Sequence, residues 1–96
     1  MAEEIHVAHI LVDTEKEADS IMQKLNGGEE FEALAMQYSK CPSKAEGGDL
    51  GWFSKGVMVP EFEKAAFSTK PGKLTKVRTE FGWHIIKVLG SRDSED

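Results

Sequence analysis

GGDLGWFSKGVMVPEFEKAAF, residues 47–67, is the stretch from which the rest of the chain takes its meaning. Residues 49–53 read as a short strand relieved by glycine, and Ser54-Lys55-Gly56 turns the chain. Pro60 suits the first position of a helix, where its missing N–H is no loss. On that helix Phe62 and Ala66 recur one turn apart. Leu50, Met58 and Phe62 thus stand just before, at and just after a strand-to-helix corner. Such a corner can hold a shallow, water-poor cup about the size of one small ring. Taken alone, the three residues read more simply as ordinary core, because large apolar side chains are mostly buried.

Upstream, residues 5–12 are apolar and β-branched and end at Asp13-Thr14, as a buried strand does. Alternation puts Val7, His9 and Leu11 on one face and Ala8, Ile10 and Val12 on the other. Thr14 and Glu17 have capping-box spacing, so a helix is predicted to start there. Ala18, Ile21, Met22 and Leu25 form its stripe, and Asn26-Gly27-Gly28 stops it. A second helix is predicted over residues 30–39 with Phe31, Leu34, Ala35 and Tyr38 as its apolar stripe. Cys41 precedes Pro42, which pushes it out of a long helix and onto a loop or a single helical turn.

Downstream, Lys70-Pro71-Gly72-Lys73 is a β-turn signal. Residues 76–89 read as a hairpin pivoting near Glu80-Phe81-Gly82. His84, Ile86 and Val88 share one face of its second strand, and Trp83, Ile85 and Lys87 the other. Residues 1–90 make one domain, and 91–96 read as a flexible acidic tail. Strand, helices, strand, helix, strand, strand is the order of an α+β fold with one antiparallel sheet.

Ninety-six residues with 40% hydrophobic and 30% charged side chains suit a single small globular domain. Net charge is −5, and Arg78 and Arg92 are the only arginines, which argues against a nucleic-acid partner. Cys41 stands alone and cannot close an internal disulfide. The opening MAEEIHVAHILV does not read as a signal peptide, and no apolar run reaches the roughly 20 residues that a membrane helix needs. A cytoplasmic monomer with no membrane partner is the expectation.

HILV at residues 9–12, CPS at 41–43, GGDLG at 47–51, MVPEFEKAAF at 58–67 and FGWHIIKV at 81–88 together resemble the parvulin family of peptidyl-prolyl cis–trans isomerases. The resemblance covers nearly the whole chain. It implies a four-stranded antiparallel sheet surrounded by four helices, in the order β-α-α-α-β-α-β-β, with one short helix after Cys41. It also implies a proline pocket at Leu50, Met58 and Phe62, with Phe53 and Phe81 helping to wall the cleft. Paired histidines fall on His9 and His84, the family's Cys-or-Asp position on Cys41, and its small hydroxyl on Thr79. Trp52 and Trp83 receive no role. The substrates implied are flexible Xaa-Pro-containing polypeptides, with no metal or other cofactor.

The chemistry suits such a cup. Amide resonance sets a rotation barrier of about 18–20 kcal/mol. Before proline the two isomers differ by only about 0.5–1 kcal/mol, so the rate is the problem. Twisting the bond makes the carbonyl less polar, and water bound to the planar amide opposes the twist. A dry cup therefore favours the transition state over the ground state. Met58 suits this use because its flexible thioether fits either isomer.

A covalent role for Cys41 would need a base and an orienting group. Since rotation breaks no bond, tuning polarity beside the carbonyl is the role assigned to it; a buried thiol acting as a small hydrophobe is the alternative. His9 and His84, on neighbouring strands, read as a hydrogen-bonded floor to the cleft, ahead of direct proton transfer. The short acidic link Asp13-Thr14-Glu15 offers no arginine cluster for phosphate, so phosphorylated substrates should be disfavoured. A non-catalytic module that binds extended Pro-containing peptides is the rival from a different class.

Overall fold

The computed structural model describes residues 2–94. The chain runs β1 (Ala2–Val12), α1 (Glu15–Asn26), α2 (Phe31–Tyr38), a 3₁₀ turn (Pro42–Glu46), β2 (Asp49–Ser54), α3 (Pro60–Phe67), β3 (Leu74–Thr79) and β4 (Gly82–Ser94). This is the expected order, with the short fourth helix realised as the 3₁₀ turn after Cys41. The strands form one antiparallel sheet in the spatial order β2-β1-β4-β3.

Local chemistry explains the element ends. The Thr14 hydroxyl accepts the Glu17 N–H, and the Glu17 carboxylate accepts the Thr14 N–H in return, so α1 opens with a complete capping box. Pro60 occupies the first turn of α3. Gly47 and Gly48 both have positive φ, and a Cβ on Gly48 would run into the backbone oxygen of His9. Only glycine fits there, because the Gly48 carbonyl accepts the His9 N–H at 2.9 Å.

Each face of the sheet buries a separate apolar cluster. Ala8, Ile10, Val12 and Ile85 pack with Ala18 and Ile21 of α1 and with Phe31 and Leu34 of α2. The opposite face packs Ile5, Val7, Ile86 and Val88 against Phe53 of β2 and Phe62 and Ala66 of α3. Side-chain alternation in β1 and β4 falls as the sequence predicts. Tyr38, read as part of the α2 stripe, is instead exposed.

On sequence grounds the domain ends at residue 90 and a flexible tail follows. The structure corrects this: β4 continues to Ser94, and residues 90–94 pair with the beginning of β1. Backbone pairing needs no apolar pattern, and polar cross-strand pairs support it here. Arg92 donates to Glu4 at 2.9 Å and lays its guanidinium 4.2 Å from the centre of the Trp52 ring. The remaining tail residues, Glu95 and Asp96, lie outside the described residues.

Candidate active site

The site lies on the α3 side of the sheet. Leu50 comes from β2, Met58 from the loop between β2 and α3, and Phe62 from the first turn of α3. All three join one apolar cluster. Phe62 is buried, whereas Leu50 and Met58 are half-buried, so the cluster is partly exposed at these two side chains. Phe53 lies beneath Phe62 with ring centres 6.3 Å apart, and Phe67 meets Phe53 edge-on at 6.0 Å. Phe53 is buried, so its contact with this group runs through Phe62.

His9 and His84 sit beside Phe62. His9 pairs with Ile86 across β1 and β4, and His84 with Leu11, so the two imidazoles meet on the diagonal. Their Nδ1 atoms are 3.0 Å apart and their rings lie within 18° of parallel. Phe62 meets both rings edge-on, at 5.6 Å from His9 and 5.2 Å from His84. Thr79 Oγ1 lies 2.7 Å from His84 Nε2 and accepts the Phe81 N–H at 3.1 Å.

A hydrogen-bonded chain thus runs from the Phe81 amide through Thr79 and His84 to His9. At its far end His9 Nε2 is buried and has no partner among the described residues. Two senses of proton order satisfy the chain, and both leave that nitrogen as its open end. Burial, reinforced by the neighbouring His84, pushes the pKa of His9 down from 6.5 to about 4. Burial alone pushes His84 to about 4. Both rings are neutral at pH 7, as the base of an apolar cup requires.

Cys41 is half-buried at the start of the 3₁₀ turn. Ser39, a buried residue that the motif reading passed over, fixes it there. Its hydroxyl oxygen accepts both the Leu11 N–H at 3.1 Å and the Cys41 N–H at 3.3 Å, tying Cys41 to the strand that carries His9. The Cys41 sulfur makes no hydrogen bond to either histidine among the described residues, so it has no base to activate it. Among those residues no group of three or more His, Cys, Asp or Glu side chains is arranged to hold a metal.

Phe81 is 60% exposed at the β3–β4 turn and is linked to the site through its backbone N–H. Trp52 is also exposed and lies between His6 and Arg92, away from the cup. A recess of about 200 Å³ elsewhere on the surface is lined by Phe31, Glu32, Glu46, Asp49, Lys87 and others. Its four charged side chains make it unsuitable for a pyrrolidine ring, and it contains none of the candidate residues.

Fold and site together define a small α+β domain with a partly exposed apolar cluster beside two neutral, linked imidazoles. The family model described as "PPIC-type PPIASE domain" matches residues 1–92. The chain belongs to the PPIC-type, or parvulin, family of peptidyl-prolyl isomerases. Among curated relatives, a foldase protein PrsA of Caldanaerobacter subterraneus is 54% identical over 90 residues, covering 92% of this chain and 29% of that protein. Among solved structures, a peptidylprolyl isomerase (PrsA) from Bacillus anthracis superposes with a TM-score of 0.95 at 46% identity, covering 99% of this chain and 45% of that one. The parvulin NmPin of Nitrosopumilus maritimus gives a TM-score of 0.85 at 43% identity, covering 94% of this chain and 99% of that one. The chain spans about a third of the length of the curated PrsA relatives it matches.

Proposed function

We propose that this domain speeds cis–trans rotation about Xaa-Pro bonds in flexible polypeptides by holding the proline ring on Phe62 between Leu50 and Met58. The observation that carries the proposal is the packing of Phe62 against both histidines. It puts the apolar corner and the neutral polar chain within one side chain of each other. Leu50 and Met58 grip the ring while the preceding residue swings. The corner keeps water off the amide, which favours the less polar twisted state. Cys41 borders the carbonyl and tunes local polarity, and the His9–His84–Thr79 chain keeps the base of the cup in shape. No bond to carbon forms or breaks, and no cofactor takes part.

We assign the physiological role to proline-limited folding steps, which take about 10–100 s unaided. Unphosphorylated sequences are the proposed substrates. The link between β1 and α1 is only Asp13 and Thr14, the first ion-paired with Lys40 and the second occupied in the cap. Neither residue is a cation, and phosphate recognition wants a cluster of them. We also read the domain as a cytoplasmic monomer, on the strength of its unpaired thiol and mixed-charge surface; sedimentation of the purified domain and fractionation of expressing cells check the two parts.

Exchange NMR on short peptides tests the function. With substoichiometric protein, Leu-Pro and Lys-Pro peptides should show exchange between their cis and trans peaks. Saturable shifts without exchange would leave only the binding-module alternative. A preference for phosphoSer-Pro would overturn the substrate assignment.

A further inference from the structure

Met58 is the one pocket residue on a loop, and the loop is held at a point that the proline-pocket reading leaves unexplained. The connection between Ser54 at the end of β2 and Pro60 at the start of α3 is five residues long. Lys55, Gly56 and Val57 are exposed, Val57 to 64%, while Met58 and Val59 are half-buried. Gly56 has φ +95°, an open turn with nothing packed where a side chain would be. Between residues 55 and 58 the described backbone makes one hydrogen bond to another element of the fold. The Gly56 N–H donates to Glu63 Oε1 at 2.5 Å.

We propose that Glu63 is a positioning residue for isomerisation, its carboxylate latching the loop by the Gly56 amide so that Met58 is presented over Phe62. This rests on the pocket reading above and adds a residue to it.

The helix geometry favours this role. Glu63 and Phe67 lie one turn apart on α3, beside the buried stripe of Phe62 and Ala66. Lys55 Nζ sits 5.4 Å from the centre of the Phe67 ring, so two neighbouring loop residues reach the same stripe. The helix therefore buries one stripe in the core and holds the loop with the next. With Gly56 pinned, only Val57 and Met58 separate the latch from the Val59–Pro60 helix start. With it released, the whole span from Lys55 to Val59 is free to sample other conformations, and the pocket is complete for only part of the time.

A carboxylate in the first turn of a helix also interacts favourably with the helix dipole, as Glu61 does without touching the loop. Glutamine separates the two effects, because it keeps a carbonyl acceptor and loses the charge.

The test compares Glu63→Ala, Glu63→Gln and Glu61→Ala in the intact domain. The Gly56 amide proton, the Met58 methyl signal, and KM and kcat on a Leu-Pro peptide are read for each. If the released loop is competent about a fifth of the time, Glu63→Ala raises KM about fivefold and leaves kcat nearly unchanged. Its Gly56 amide proton moves upfield and its Met58 methyl signal shifts or broadens. Glu63→Gln recovers most of KM and both signals, and Glu61→Ala matches the wild type. An unmoved Met58 methyl in Glu63→Ala overturns the latch. So does a Glu63→Gln variant as impaired as Glu63→Ala, because charge at the helix terminus then suffices as the cause. Should the wild type fail to isomerise any Xaa-Pro peptide, the pocket reading fails, and the Gly56 and Met58 signals still decide whether the latch exists.

Discussion

The two faces of the sheet do different work with similar amounts of apolar material. The face under α1 and α2 is purely apolar inside: Ala8, Ile10, Val12, Leu34 and Ile85 pack with no buried titratable group among them. The face under α3 buries fewer aliphatic residues, and adds two buried histidines, a buried threonine and the half-buried Leu50 and Met58. Buried polar groups stabilise a fold only when fully satisfied, and here His9 Nε2 has no partner among the described residues. One face is thus an all-apolar core, whereas the other sets a buried polar chain beside a partly exposed apolar cluster.

The largest expected effect comes from removing the shared ring. Phe62→Ala should cost about 3–5 kcal/mol of stability and lower kcat/KM at least about a hundredfold, as read by urea unfolding and peptide exchange. On the face under α1 and α2, Leu34→Ala should cost about 2–5 kcal/mol. It should leave kcat/KM within about a factor of two under conditions where the protein stays folded. A matching loss of activity in Leu34→Ala would erase the distinction between the faces.

Mild acid should act chiefly through the two histidines of the α3 face. Between pH 6.5 and about 4 the unfolded imidazoles bind protons that the folded ones refuse, so stability falls as pH drops through that window. At about 1.4 kcal/mol per pH unit the loss is roughly 3 kcal/mol for each ring. From this source the loss is absent above pH 6.5 and complete below about 4. Unfolding midpoints of the wild type and of His9→Phe/His84→Phe, measured at pH 7.5 and 4.5, check it: the double variant should lose the histidine-dependent part. A smaller effect is expected from Thr79→Val, which leaves His84 Nε2 and the Phe81 N–H without their partner and should cost about 1–3 kcal/mol. Thr79→Ser should recover most of it.

Much of this was legible in the chain because it rests on local rules. The Thr14–Glu17 capping box, Pro60 at the helix start and the period-two alternation of residues 7–12 and 84–88 each carry their own signal. Alternation gives each histidine a face of its own strand, and the pairing of β1 with β4 brings those faces together. What escaped depends on contacts between distant or patternless residues. Residues 91–94 look like a tail because their strand pairing uses backbone groups and polar neighbours, which leave no periodic trace. Ser39 looks like an ordinary helix-end serine, and only the fold shows its hydroxyl receiving two backbone amides across β1 and the Cys41 loop. Phe53 and Phe81 resemble each other as aromatics near the motifs, yet one is buried under Phe62 and the other stands in solvent. Burial of that kind is set by sheet register, which no single motif encodes.

A matched pair of methionines offers the most direct test. Met58 packs half-buried against the α3-side cluster, and Met22 packs half-buried against the other. Truncating either to alanine removes the same atoms at comparable exposure. If a desolvated corner over Phe62 drives the isomerisation, Met58→Ala should lose about tenfold or more in kcat/KM on a Leu-Pro peptide, a change of roughly 1.4 kcal/mol, while Met22→Ala stays within about a factor of two of wild type. Equal losses in the two variants, or full activity in Met58→Ala, would contradict it.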